Sequence, residues 1–409
     1  MNARWRLLLP LVLLGCPAEP ASHPPPRASA SAGALTPDLL QIGYEPEAFA
    51  KDPSLLGRVT GSPFGYFRYT NDAFIRAVCR LYGPRVDRMP TVNLHGDAHV
   101  EQYAVADDGR GLADFDATTL GPPVIDLARF ATSLVLASSD EAAADGAIRA
   151  FIRGYEAALA DPAATGPEPA VATRIRSRFG SSALEWLNGV EKLMMPLPPE
   201  KIAKIEDARV QYAREMLSQN PDLTEAFFQL KRAGALRMGL GSAHEAKFLG
   251  RVEGPTTDPA DDVILEMKQM APMPVGTCIR GRDPDPLRVV VGQSRLAMSP
   301  QRFLGYVVFE GRTFYVQAWR VHYTELSITE IRSPEELAEV AYDVGLQLGR
   351  GHPKNIADPR GSELRDSLTA LTRELGPSLP TVAKELAARV VEAHAVFTRS
   401  VTESAAAAP

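Results

Sequence analysis

The sequence predicts an α+β fold in which a small antiparallel sheet interrupts a mostly helical chain. Three observations carry this. Apolar residues recur at helical spacing over much of Phe64 to Ala233, and the same period returns from Pro334 onward. Between them, "ALRMGLGSAHEAKFLGRVEG", "DDVILEMKQM", "RFLGYVVFEG" and "TFYVQAWRV" read as short strands joined by Gly and Asp turns.

The 409 residues, 45% hydrophobic and 23% charged, suit one large globular domain or two small ones. The net charge is −6 and no Lys/Arg-rich block occurs, which argues against a nucleic-acid partner. At the N-terminus, "MNARWRLLLPLVLLGC" places Arg4 and Arg6 before an apolar run too short to span a bilayer, the layout of an export signal. Leu13-Leu14-Gly15-Cys16 resembles the bacterial lipobox, so residues 1–16 are read as a lipoprotein-type signal with Cys16 as the lipidation site; the alternatives are an unlipidated secretory signal and a merely hydrophobic N-terminus, which would leave the protein cytoplasmic. Residues 17–35 are mostly Pro, Ala and Ser with little to bury, an extended tether. The expected location is the bacterial cell envelope, with membrane contact only through the lipid, as a monomer. Cys79 and Cys278 would then meet an oxidising compartment, either paired or as two buried thiols.

Along the body, Phe74, Val78 and Leu81 mark a helix, and "RMPTVNLH" a short strand entering a His-Gly-Asp turn. "QYAVADDGRGLADFD" is a hairpin, with Tyr103 and Val105 alternating, an Asp108-Gly109 turn and a return through Leu112. After Pro122-Pro123 one helical stripe runs through Leu127, Phe130, Ala131, Leu134 and Val135, and another through Ile148, Phe151, Tyr155 and Leu159. Helices continue to about Ala233, broken at "MMPLPPE". The last stripes are Leu337, Val340, Ala341, Val344 and Leu348, then Val382 to Phe397. These patterns divide the body into a helical lobe at 36–235, a sheet lobe at 236–325, and C-terminal helices at 326–400 that return to the larger lobe.

A hairpin brings its ends together, so Asp97 before it and Asp114 after it should face one cleft. One such carboxylate can take a proton from a hydroxyl while the other holds Mg²⁺, a hard cation content with one or two carboxylates plus phosphate oxygens. "HGDAH", "DFD" and "GPPVIDLAR" together resemble the catalytic segment of aminoglycoside phosphotransferases and choline kinases, the small-molecule branch of the protein-kinase-like fold. The resemblance implies that Asp97 is the catalytic base, Asp114 a metal ligand, Asp116 a second ligand and Asp126 a structural brace, with Arg129 beside it. His95 would support the turn, with a direct catalytic role beside Asp97 as the other reading, and His99 could touch metal or substrate. Where that pattern has Asn, this chain has Gln102, one methylene longer but still able to offer a carbonyl oxygen.

Such a site needs a glycine-rich turn over the phosphates and a strand lysine. Gly239, Gly241 and Ser242 supply the turn, Lys268 in "VILEMKQM" the lysine, and "FYVQAWR" a hinge where backbone groups of Gln317 and Ala318 could meet adenine. Glu266 and Glu245 are candidates for the acidic partner of Lys268; the helix-like "DPLRVVVGQSRLA", with Asp285 and Pro286 at its start, offers only Gln293 there. Glycine turn and lysine follow the aspartates, the reverse of the ordinary kinase order, as a circular permutation would produce. That order, with "SPFGYFRY", "GLGS", "EMKQM" and "GLQLGRGH", resembles the bacterial family catalogued as domain of unknown function 2252 over about residues 50 to 400. The expected fold is thus a two-lobed, circularly permuted protein-kinase-like one. The expected activity is ATP- and Mg²⁺-dependent phosphotransfer to an unknown small-molecule or protein hydroxyl. A non-catalytic nucleotide- or protein-binding module and a metallo-phosphoesterase are the competing readings. His244, His322, His352 and His394 are expected to be satisfied imidazoles, with His352 the one placed to approach the site.

Overall fold

The computed structural model describes residues 37–50, 52–237, 245–274, 277–281, 287–357 and 361–407. Cys16 and the tether, Gly239, Gly241, Ser242, His244, Asp285 and Pro286 lie outside them. The first elements are α1 (Pro46–Phe49), α2 (Pro53–Thr60), α3 (Pro63–Tyr69) and α4 (Asn71–Tyr82), then β1 (Val92–Leu94), β2 (Tyr103–Ala106), β3 (Gly109–Leu112) and β4 (Thr119–Gly121). A helical stretch follows: α5 (Val124–Ala137), α6 (Glu141–Ala160), α7 (Ala170–Arg176), α8 (Ala183–Glu191) and α9 (Pro199–Gln219). Next come β5 (Leu230–Ala235), β6 (Lys247–Val252), β7 (Val263–Gln269), α10 (Arg288–Leu296), β8 (Gly305–Phe309), β9 (Arg312–Ala318) and β10 (Thr324–Glu325). The chain closes with α11 (Pro334–Gly351), α12 (Gly361–Leu375) and α13 (Leu379–Ala407). The fold is mixed α+β, and every strand pair is antiparallel.

Local chemistry explains several boundaries. Ser62 caps α3 by accepting from the Gly65 N–H, with Pro63 at the first helical position. Ser333 and Pro334 repeat the device on α11. Inside the helical core α5 is buried on every side, so its polar residues Asp126, Arg129, Thr132 and Ser133 sit among apolar ones. Each large side chain buried around it, Phe67, Phe74, Phe130 and Phe151 among them, contributes roughly 1.5–3 kcal/mol. Helices α6 and α11 press together at Gly154, Gly345 and Gly349, where any side chain would strike the other helix's backbone.

The five-stranded sheet has the order β5-β6-β7-β9-β8. Its period of two sorts the side chains. Phe248, Val263, Leu265, Met267, Phe314 and Val316 point to a core shared with Tyr212 and Met216 of α9. The alternate residues point the other way, where Leu249 and Ile264 pack against Leu187 and Val190 of α8. The chain leaves helix earlier than its sequence pattern predicts: α9 ends at Gln219, and Leu230–Ala235 is already a strand. That strand lies at the end of the sheet order with exposed Lys231 and Arg232, so no apolar alternation announces it.

Cys79 on α4 and Cys278 are disulfide-bonded, their Cα atoms 5.5 Å apart, so of the two alternatives the pair forms. Among the described residues no helix is long and apolar enough to cross a membrane.

Candidate active site

Strand β1 runs directly into His95-Gly96-Asp97. Gly96 has φ +80°, and a side chain there would strike the Ala117 carbonyl, so the turn requires glycine. Asp126, in the first turn of α5, accepts from the backbone N–H of His95 at 2.7 Å and of Gly96 at 2.8 Å. His352 Nε2 meets the same carboxylate at 3.2 Å, and the Tyr155 hydroxyl meets His352 Nδ1 at 2.8 Å. The His95 ring completes the frame, its Nε2 2.9 Å from the Ala113 carbonyl at the end of the hairpin. Buried backbone donors without partners cost about 1–3 kcal/mol each, so this carboxylate holds the turn rigidly.

Arg129 Nε donates to Asp97 Oδ1 at 2.6 Å, and its Nη2 to the Phe67 carbonyl at 3.2 Å. The guanidinium also lies 4.1 Å from the centre of the Phe67 ring. Burial pushes the Asp97 carboxyl above its ordinary value, against the opposing pull of Arg129. His99 is buried edge-on against Phe64 and Phe67, with Nε2 4.0 Å from Asp97 Oδ2. Burial and the charges of Arg68 and Arg129 hold its ring well below the usual imidazole value.

Asp114 follows the hairpin in the left-handed region, φ +54°, a backbone state that costs on the order of 1–3 kcal/mol for a residue other than glycine. That state directs the carboxylate to two partners: Lys268 Nζ lies 2.8 Å from Oδ1, and Gln102 Nε2 3.5 Å from Oδ2. Lys268 also pairs with Asp116, to which the Tyr315 hydroxyl donates. Burial alone would raise Asp114, but the Lys268 ammonium and the Asp116 hydrogen bond outweigh it and hold the carboxyl far below the usual range. Asp116, buried beside that charge, is pushed up to about 7. Lys268 is raised, since Asp114, Asp116 and Glu266 together outweigh its burial.

Strand alternation places Lys268 and Glu266 on the sheet face opposite the α9 core. Glu266 does not take the lysine: it accepts from Gln317 Nε2 and Trp319 Nε1, both at 3.0 Å. Gln293 binds the Gln317 side chain at 2.9 Å, Glu245 lines the cavity wall, and the two aspartates are the ion partners of Lys268. At the proposed hinge the Ala318 N–H is committed to the Arg302 carbonyl at 2.9 Å, while the Gln317 side chain faces the cavity.

Asp97, Gln102, Asp114, Asp116, Lys268 and Gln317 line one cavity of about 910 Å³, within the size range of small-molecule sites, while His95, Asp126 and Arg129 stand behind its wall. Three contributors escape a sequence reading. Lys247 sits directly across from Lys268 in the β6–β7 register, and Tyr315 across from Lys268 on β9. Arg288 bonds the carbonyls of Asp116 and Thr118 at 2.7 and 2.8 Å, fastening α10 to the acidic turn. The alternation of "AKFLGRV" and "TFYVQA" does place Lys247 and Tyr315 opposite their apolar neighbours, and that is the signal that could have found them.

Of the remaining histidines, the two described, His322 and His394, are satisfied within the fold. His322 bridges Ser181 Oγ and Asp107, each at 2.9 Å, and His394 Nε2 meets the Thr60 carbonyl at 2.9 Å. Among the described residues no group of three or more His, Cys, Asp or Glu is placed to hold a metal ion. The donors gathered at Asp114 are two carboxylates and one carboxamide, all hard oxygens or able to present one. That set fits Mg²⁺ bound together with phosphate oxygens.

No curated protein and no solved structure matches the chain. Residues 52–186 and 184–400 match the model of a family described as an uncharacterized protein conserved in bacteria (DUF2252), and the chain belongs to that family.

Proposed function

We propose that this protein is an ATP- and Mg²⁺-dependent phosphotransferase with a circularly permuted protein-kinase-like fold. The observation that carries the reading is the ion pair of Lys268 and Asp114, 2.8 Å long across 154 positions, at the wall of a cavity that Asp97 also lines. A strand lysine, an aspartate after a hairpin and an aspartate in a braced turn are the parts phosphoryl transfer needs, because it depends mostly on positioning and charge neutralisation.

In this reading Asp97 accepts the proton of the acceptor hydroxyl as that oxygen bonds to the γ-phosphorus and the bond to the ADP oxygen breaks. Arg129 positions Asp97, and Asp126 positions the backbone that carries it. Asp114, Asp116 and Gln102 would hold Mg²⁺, which neutralises charge on the phosphates. Lys268, Gly239, Gly241 and Ser242 would take the phosphates, and Gln317 would border the base.

One observation favours binding without turnover. Gln102 presents its carboxamide to Asp114 from a longer side chain than the Asn of the resembling enzymes, which alters the octahedral fit Mg²⁺ demands. A single experiment distinguishes the readings: thermal shift and ATP turnover of the full chain with and without Mg²⁺, for the natural protein and Asp114→Asn. Stabilisation that requires Mg²⁺ and Asp114, with ADP released in the presence of an acceptor, supports phosphotransfer. Stabilisation without turnover across a panel of hydroxyl acceptors supports the binding role, and no response to nucleotide sinks both.

A further inference from the structure

We propose that Glu266 reads the base of the bound nucleotide, by accepting an N–H from the edge of a purine at the end of the cavity bordered by Trp186 and Trp319. The presence of a nucleotide rests on the phosphotransferase reading; the choice of Glu266 rests on the side chains around it.

Four hydrogen bonds form a chain that ends on this carboxylate. The Gln301 backbone N–H donates to Gln293 Oε1 at 2.8 Å, Gln293 Nε2 to Gln317 Oε1 at 2.9 Å, and Gln317 Nε2 to Glu266 Oε2 at 3.0 Å. Trp319 Nε1 donates to the same Oε2, also at 3.0 Å. A backbone N–H can only donate and a carboxylate can only accept, so the direction of the chain is fixed at both ends and neither carboxamide can turn over without setting like groups against each other. Glu266 is 7% exposed and lines the cavity. Both incoming bonds use Oε2, and Oε1 takes none from a described residue. Attraction to Lys247 and Lys268 on the same sheet face compensates its charge. The wall therefore offers a fixed acceptor, next to a Gln317 amide that carries a second N–H.

Three features suit this place to a base rather than to phosphate. A carboxylate repels phosphate oxygens and bonds N–H groups. Two residues along a strand advance about 6.6 Å, so Glu266 and Lys268 meet different parts of one ligand. Trp186 and Trp319 line the same cavity and pack on the apolar cluster that includes Leu249, the cross-strand neighbour of Glu266, which supplies flat surface for an aromatic ring. The main chain does not compete for the role: the Ala318 N–H goes to the Arg302 carbonyl at 2.9 Å, and the Trp319 N–H to the Ile264 carbonyl at 2.8 Å. An N–H beside an acceptor is the pattern of adenine, through its amino group and N1, and of guanine, through N1–H and O6.

The test is titration calorimetry with Mg²⁺ on the full chain and on Glu266→Gln. The probes are ATP, GTP, inorganic tripolyphosphate, and purine riboside triphosphate, whose base carries no N–H. A hydrogen bond to a charged group predicts that ATP or GTP, the tighter of the two naming the base, binds the natural protein about 10–100-fold more tightly than purine riboside triphosphate. In Glu266→Gln, whose carboxamide oxygen still serves Gln317 and Trp319, that ratio should fall to near one while tripolyphosphate affinity holds. A natural protein that binds all three nucleotides equally overturns the assignment without recourse to a variant. A ratio that survives in Glu266→Gln overturns it as well, and leaves the phosphotransferase reading intact. Equal weakening of every probe in Glu266→Gln, tripolyphosphate included, overturns it by making Glu266 a structural residue. A natural protein that binds none of the four removes the phosphotransferase reading too.

Discussion

Two charged regions border the same cavity and are built on opposite principles. Around Asp97 each charge has partners supplied from within the helical core: Arg129 from α5 for Asp97, and two backbone N–H groups with His352 for Asp126. On the sheet side two lysines share one face, and Asp114 and Asp116 crowd against one of them. The first region is a frame, in which polar groups fix one geometry. The second is a set of charges crowded on one face of the sheet at the cavity wall. Buried ion pairs stabilise little by themselves, so a charge set this crowded points to ligand chemistry rather than to stability.

Four substitutions test that contrast, in descending order of expected effect. On the phosphotransferase reading, Asp97→Asn should cut turnover by about 10²–10⁴-fold, as removal of a general base does, and should also lower the melting temperature, because Arg129 is left buried without its counter-charge. Because burial raises the Asp97 carboxyl, the acid limb of the natural protein's rate profile should lie above the ordinary carboxylate value of 3.8 and vanish in the variant. An unchanged rate would remove Asp97 from the chemistry. Arg129→Met should act mainly on the fold, by about 3–5 kcal/mol in denaturant unfolding, because it leaves Asp97 buried without its cation. A smaller loss would mean the frame is looser than its hydrogen bonds indicate.

Cys278→Ser, which opens a cross-link spanning 199 positions, should cost about 2–4 kcal/mol, read as a lower unfolding midpoint under non-reducing conditions. It should also weaken nucleotide binding, since the neighbouring Ile279 lines the cavity; equal nucleotide affinity would separate the clamp from the site. Ser333→Ala is the reference remote from both regions. Losing the cap at the Glu336 N–H should cost about 1 kcal/mol with no change in ligand response.

Much of the site is legible in the sequence because its chemistry is local. Gly96 beside Asp97 marks a turn, the Asp108-Gly109 pair closes a hairpin, and the alternation of "VILEMKQ" puts Lys268 on the face away from Leu265 and Met267. Other parts are written in no local pattern. Nothing near Asp114 announces that Lys268 will be its partner, and Glu266, the nearer carboxylate in sequence, turns to Trp319 instead. Strand β5 carries Lys231 and Arg232 without apolar alternation and forms because β6 offers a ladder, so no local pattern separates it from the preceding helical stretch. Arg129 reads as a polar residue on an apolar helix until α5 is seen to be enclosed on every side.

By itself, then, the sequence determined the periods, the turns and the helix starts, and with them the separation into helices and a small antiparallel sheet. These follow from sterics and solvation acting over a few residues. Only the tertiary structure decided which charges meet: Lys268 with Asp114 and Asp116, Arg129 with Asp97, Lys247 across from Lys268, and Cys79 with Cys278. Those pairings depend on strand register and on how the sheet sits against α5 and the hairpin, which side chains far apart in the chain set jointly through packing.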